Sequence, residues 1–334
     1  MSQAPTGIGR VRALRTSGST KTGAQPTISD LPVQLPRDPS TPAQSRARFF
    51  NPGNAFDIQL PDVPSHAFIE EARQALDPET STGLITCDLS PQLDCPFPAT
   101  TPWMLVRYAR IRSGHRLETD IQASAAICYV ITGSGCSRGA GQATNWSPGD
   151  VIVLPGGEAF THEAAEDTVL WMVTNEPQLA FEGLRPPLPG SSPTALVHFR
   201  AEEISQQLHM LQQVGRNAET AGIAVVFSSD QQEQRRNLLP SLTLAMNALP
   251  AHGSQRAHRH NAAAVMLLID ADGCHSRLDG VRKNWSRWAT SVTPPGCSHS
   301  HHNDSNRQAM FLVVQDAGIY YHARAMGFSF TDAQ

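Results

Sequence analysis

Three histidines carry the chemistry that this chain can offer. His258 and His260 stand two residues apart, and His299 follows a turn of Pro294-Pro295-Gly296. Side chains alternate across a β-strand, so His258 and His260 look the same way if a strand begins there. A third imidazole brought in by a distant strand would complete a metal site. Imidazole suits this task because it offers a lone pair while neutral near pH 7. The positions four and five after His260 hold Ala264 and Val265, so no carboxylate joins the set. Three imidazoles leave open positions on an ion, which favours catalysis over a closed structural site. An isolated His-x-His pair is ordinarily a surface feature. Here seven of the thirteen histidines fall between positions 252 and 302.

These residues resemble the cupin signature. Its first motif, Gly-x5-His-x-His-x3-4-Glu-x6-Gly, is matched by His258, His260 and Gly273 without the Glu. Its second, Gly-x5-Pro-x-Gly-x2-His-x3-Asn, is matched by Pro294, Gly296, His299 and Asn303. The resemblance implies antiparallel jelly-roll barrels with a metal inside. A cupin with three His and no Glu is most similar to the gentisate and salicylate 1,2-dioxygenases, nitrosalicylate enzymes included. Those are bicupins that use Fe(II) and O2 to open an aromatic ring beside its carboxylate. The resemblance runs over about residues 100 to 330 and is specific in the second half.

It implies a non-haem iron, extradiol-type 1,2-dioxygenase acting on a small aromatic carboxylate. His258, His260 and His299 would hold the metal. The family often has a further His two residues after the third ligand, which His301 matches. Another iron cupin, acting on a diketone or a thiol, is the rival reading within catalysis. A cupin that only binds a small ligand is the rival outside it.

If the strand from His258 is regular, Ala262, Ala264 and Met266 share its inward face, and two small side chains leave room for a flat ring. His299 and His301 should share a face, with His302 turned the other way. His301 could then hydrogen-bond a substrate oxygen or act as acid/base. A carboxylate needs a cationic partner, and arginine offers a planar two-pronged donor. Arg256 and Arg287 are taken as the substrate-binding pair from a set that also holds Arg259, Arg277, Arg324, Arg107 and Arg110. Gln315, a polar residue closing the apolar run Leu312-Val313-Val314, is the third substrate contact.

The elements that must position these groups read as all-β. Short apolar runs alternate with Gly and Pro turns: Met104 to Ile111, Ala125 to Thr132, Val151 to Leu154, Thr168 to Thr174, and again from Ser241 to Phe330. Two helices interrupt them, Pro64 to Leu76 and Ala201 to about Asn217, each with apolar residues at helical spacing. Residues 1 to 48 are rich in Ser, Thr, Pro, Gly and Arg and read as a flexible arm, or one lying across a neighbouring subunit. Residues 49 to 185 read as a first cupin. Residues 186 to 334 read as a Pro- and Gly-rich linker, a helix and a metal-binding cupin.

The halves repeat. Gly135-Cys136 recurs as Gly273-Cys274, Asn145-Trp146-Ser147 as Asn284-Trp285-Ser286, and Pro155-Gly156-Gly157 as Pro294-Pro295-Gly296. The first offset is 138 and the other two are 139, which implies two copies of one barrel. On these offsets His258 and His260 fall on Asp120 and Gln122, and His299 falls on Phe160. The first barrel is therefore expected to be metal-free.

At 334 residues the chain can fill two compact domains. A net charge of −4 gives no support to nucleic-acid or membrane-surface binding. No apolar run reaches the roughly 18 residues of a spanning helix. Six cysteines without a CxxC pair or an apolar leader read as free thiols in a cytoplasmic protein. Relatives suggest a homotetramer.

Overall fold

The computed structural model describes residues 27–56, 58–214 and 219–331. The chain divides into two compact units, residues 1–61 and 62–334. The described part of the first unit holds a 3-10 turn (Ile28–Asp30) and helix α1 (Pro42–Ser45), each begun by a threonine capping box. An antiparallel bridge joins Gln34 to Phe49, and the Asn51 and Asn54 side chains donate to the Leu31 carbonyl. Residues 27–48, expected as a flexible arm, therefore carry local structure; residues 1–26 lie outside the described residues.

The second unit opens with strand β1 (Ala67–Phe68), helix α2 (Ile69–Leu76) and strand β2 (Gly83–Cys87). Then come β3 (Leu105–Ile111), β4 (Arg116–Thr119), β5 (Ala125–Thr132), β6 (Gly135–Gly139), β7 (Gln142–Trp146), β8 (Val151–Pro155), β9 (Phe160–Ala164) and β10 (Thr168–Thr174). Helix α3 (Glu176–Glu182), strand β11 (Val197–Phe199) and helix α4 (Ala201–Gln212) connect the halves. The second half runs through β12 (Ile223–Val226), β13 (Thr243–Leu249), β14 (His258–His260), β15 (Ala264–Leu268), β16 (Cys274–Leu278), β17 (Val281–Asn284), β18 (Thr290–Thr293), β19 (His299–Asn303) and β20 (Ala309–Gln315). Helix α5 (Ala317–Ala323) and β21 (Phe328–Phe330) complete it.

Among the described residues these strands make four sheets. The first half supplies β11-β8-β5-β10-β3-β2 and β4-β9-β6-β7. The second supplies β1-β18-β15-β20-β13-β12 and β17-β16-β19-β14-β21. Alternation decides what each face packs against. On β10, Val169, Trp171 and Val173 enter the core shared by the two six-stranded sheets, while Leu170 and Met172 point into the first jelly roll. Both faces of β10 are thus covered, and all seven of its residues are buried. This explains its unbroken apolar run, where a one-faced strand would alternate.

The sheet orders of the two halves correspond, with β21 an extra edge strand in the second, and their lead segments are exchanged. β1 precedes the first half but adds to β18 of the second; β11 precedes the second half but adds to β8 of the first. The residues involved repeat as well. His66, Glu70, Glu71, Gln74 and Leu76 recur 132 positions later as His198, Glu202, Glu203, Gln206 and Leu208. The expected helix over 64–76 is correspondingly a two-residue strand followed by a shorter helix from Ile69. β18 offers Ala67 and Phe68 a sheet edge, and that pairing outweighs their helical spacing.

Strand pairing also corrects the repeat register. Thr119 pairs with Phe160 as His258 pairs with His299, and Cys136 pairs with Asn145 as His275 pairs with Asn284. The offset across these sheets is a constant 139. His258 and His260 therefore fall on Thr119 and Ile121, in place of Asp120 and Gln122, and Cys136 corresponds to His275. The Gly-Cys match was a coincidence one residue out of register.

Candidate metal centre

The sheet itself sets the triad. His258 on β14 lies directly opposite His299 on β19, and His260, two residues on, shares the face of His258. One ligating nitrogen from each ring lies within 4.8 Å of the other two, and all three residues are buried. Each Nδ1 is committed to a carbonyl: that of His258 to Arg256 O at 2.7 Å, that of His260 to Ala262 O at 2.9 Å, and that of His299 to Cys297 O at 2.9 Å. A carbonyl only accepts, so every Nδ1 carries the proton and every Nε2 keeps its lone pair. Burial works in the same direction. It lowers the pKa of His258, takes that of His260 to about 4 and that of His299 to about 3. Three neutral imidazoles with oriented lone pairs can hold a metal ion, and the carbonyls behind them fix the rings for it.

The surrounding turns hold these strands in place. Gly296, at φ 71°, donates its N–H to His260 O at 2.7 Å, which ties the Pro-Pro-Gly turn to the strand carrying two of the histidines. Asn303 closes β19 by donating to the carbonyls of Leu249, Pro250 and Arg307. After His260 the chain leaves its sheet, and β15 begins at Ala264 in the other one. The strand is therefore not regular beyond His260. Asp316, whose pKa burial raises to about 7, pins this crossover by accepting from Ala263 N at 2.9 Å.

The triad opens onto a cavity of about 900 Å³. Ala264, Met266, Gln315 and His301 line it with His258 and His299; Ala262 is not among the lining residues. Gln315 Nε2 lies 3.2 Å from His260 Nε2. His302 faces away and stacks on His275 at 4.7 Å. The two expected substrate arginines lie elsewhere. Arg256 has its guanidinium over the Phe330 ring, 3.7 Å from the centre. Arg287 donates to Ile269 O, lies over Trp288 and lines a separate hollow with Arg110 and Asp167. The arginines on the cavity are Arg235 and Arg236, from the loop between β12 and β13, together with Glu233. Nothing in the local sequence marks that polar loop as part of the site; only the fold brings it to the cavity mouth.

In the first half the equivalent positions Thr119, Ile121 and Phe160 border a void of about 10 Å³. Ile121 and Phe160 offer no lone pair. The interior there is closed by Trp146, Phe160, Leu154, Leu170 and Met172. One repeat is filled with apolar side chains, and the other is hollow and histidine-lined.

No protein-family model matches the chain. A gentisate 1,2-dioxygenase from Ralstonia sp. is 32% identical over 69 residues, a match spanning 21% of this chain and 19% of that protein. The fold is similar to the salicylate 1,2-dioxygenase of Pseudaminobacter salicylatoxidans, at a TM-score of 0.66 and 13% identity over 80% of this chain and 88% of that one. A structure of the same enzyme described as a gentisate adduct gives a TM-score of 0.68 at 14% identity, covering 84% and 89%. In fold over most of its length, and in sequence over a short stretch, the chain resembles the bicupin gentisate and salicylate 1,2-dioxygenases.

Proposed function

We propose that the protein is an Fe(II)- and O2-dependent dioxygenase of a gentisate- or salicylate-type 2-hydroxybenzoate, cleaving the ring between the carboxyl- and hydroxyl-bearing carbons. The observation that carries this is the triad itself: three buried, neutral, carbonyl-oriented imidazoles converging beside one open cavity that His258 and His299 line. The cavity's size falls within the ~300–1,000 Å³ typical of small-molecule sites. The fold shared with the salicylate enzyme and the short match to a gentisate dioxygenase support the choice of substrate class. The bond cleaved adjoins a single hydroxyl, so "extradiol" describes the reaction loosely.

In this reading His258, His260 and His299 hold the metal, which when bound supplies open positions for substrate and O2 and a path for electron density between them. Arg235 and Arg236 meet the substrate carboxylate at the cavity mouth. Ala264 and Met266 bound the space for the flat ring. Gln315, beside His260, contacts a substrate oxygen, and His301 hydrogen-bonds another. The filled first half serves packing and assembly, within a cytoplasmic homotetramer.

The test is anaerobic loading of the full chain with Fe(II), followed by oxygen uptake on gentisate, salicylate and substituted salicylates. His258→Ala should lose both bound iron and oxygen uptake. Turnover by iron-free protein would refute the proposal.

A further inference from the structure

The two repeats share a hydrogen-bonded unit that neither the metal nor the filled interior requires. In the first half, Trp146 Nε1 donates to Ser137 Oγ at 2.9 Å, Ser137 Oγ lies 2.7 Å from His162 Nδ1, and His162 Nε2 lies 3.0 Å from Thr119 Oγ1. In the second half, Trp285 Nε1 donates to Ser276 Oγ at 2.8 Å, and Ser276 Oγ lies 2.8 Å from His301 Nδ1. Trp, Ser and His recur at an offset of 139 positions. Thr119, the partner of His162 Nε2, stands where His258 stands in the second half.

The direction of each bond follows from which groups can give a proton. Indole N–H only donates, so it occupies an acceptor site on the serine oxygen. In the first half Thr119 Oγ1 donates to the Phe160 carbonyl, at 3.4 Å, and so accepts from His162 Nε2–H. His162 Nδ1 must then be the lone-pair nitrogen, and Ser137 its donor. The chain runs one way: Trp N–H to Ser, Ser O–H to Nδ1, Nε2–H outward. The second half has the same Trp and Ser in the same geometry, so the serine proton again goes to Nδ1. His301 then carries its proton on Nε2, the opposite tautomer to the three triad histidines. Its ring lines the cavity, and the threonine that ends the chain in the first half is absent here.

We infer that Ser276, itself held by Trp285, is a positioning residue that fixes His301 as a neutral Nε2–H donor aimed into the cavity, so that His301 binds an anionic oxygen of the ligand and does not act as a general base. This deepens the reading of the cavity as the substrate site. It predicts that Ser276 and Trp285, which do not line the cavity, govern how well that oxygen is held.

The experiment reads the tautomer directly. The full chain, labelled with ¹⁵N and loaded with diamagnetic Zn²⁺, is observed by long-range ¹H–¹⁵N correlation, with His301→Gln identifying the His301 signals. The expected result is a pyridine-type Nδ1 and a pyrrole-type Nε2 in the parent, lost or mixed in Ser276→Ala and restored in Ser276→Thr. Ser137→Ala should disturb the His162 signals and leave those of His301 in place. A pyrrole-type Nδ1 in the parent, or an unchanged tautomer in Ser276→Ala, overturns the inference. With Fe(II), Ser276→Ala should raise KM about tenfold while kcat moves less, and Ser276→Thr should recover most of it. The tautomer readout needs no turnover, so an inactive parent would defeat the dioxygenase reading without touching this one.

Discussion

At the scale of single residues, spacing and fold contributed differently. His258 with His260, and His299 with His301, were legible in the chain because period-two alternation fixes which side chains share a face of a strand, and Gln315 stood out as a polar residue closing an apolar run. The arginines were not. Six or more are plausible by type, and which of them reaches a cavity depends on loops that close over it from elsewhere in the sequence. Arg235 and Arg236 sit in such a loop, with Arg236 at a positive φ of 56°. If they hold the substrate carboxylate, replacing both with Ala should raise KM for a 2-hydroxybenzoate at least tenfold, roughly the 1.4 kcal/mol or more of a lost charge-assisted pair. Arg256→Ala and Arg287→Ala should leave KM near that of the parent. Steady-state oxygen uptake distinguishes the two outcomes.

At the scale of elements, Ala125–Thr132 and Thr168–Thr174 were readable to the residue as apolar runs flanked by turns. The weaker strands β4, β6, β7 and β9 were not, because they are short, carry polar residues and bury one face. Exchange of the lead strands was also hidden, since pairing partners are a property of the assembled sheets. The seam between the two six-stranded sheets holds a polar node. Trp171 Nε1 donates to Thr290 Oγ1 at 2.8 Å; Tyr108 Oη, 2.8 Å from the same oxygen, donates to Trp288 O at 2.6 Å. All three side chains are buried. Thr290→Val keeps the shape and orphans the Trp171 N–H, so it should destabilise the protein by about 1–3 kcal/mol. The urea midpoint should fall with an unchanged slope, and Trp171→Phe added to it should cost less than the two changes summed separately.

For the whole molecule, the repeat was visible in sequence, while its register needed the strand pairing. The two copies divide the work: one interior is packed solid and the other kept hollow. The solid one contains a pH-sensitive group remote from the triad. Burial lowers the His162 pKa from its ordinary 6.5 to about 4. Below pH 6.5 the unfolded chain takes up a proton that the folded chain refuses. This histidine's contribution is therefore complete above that pH and is lost as pH falls through about 4, with a total on the order of 3 kcal/mol. The stability gap between the parent and His162→Leu should narrow by that amount between pH 7 and pH 4. A gap that stays constant in chemical denaturation would show that His162 is not held neutral.

The crossing of β1 and β11 has a consequence for how such a protein can be dissected or recombined. Each copy wears a ribbon supplied by its sibling, so a cut between them strips an outermost strand from both and exposes raw backbone along β8 and β18. The hollow copy is thus not a portable module: its ancestry is that of a twin, and any graft that moves it must carry Ala67 and Phe68 along.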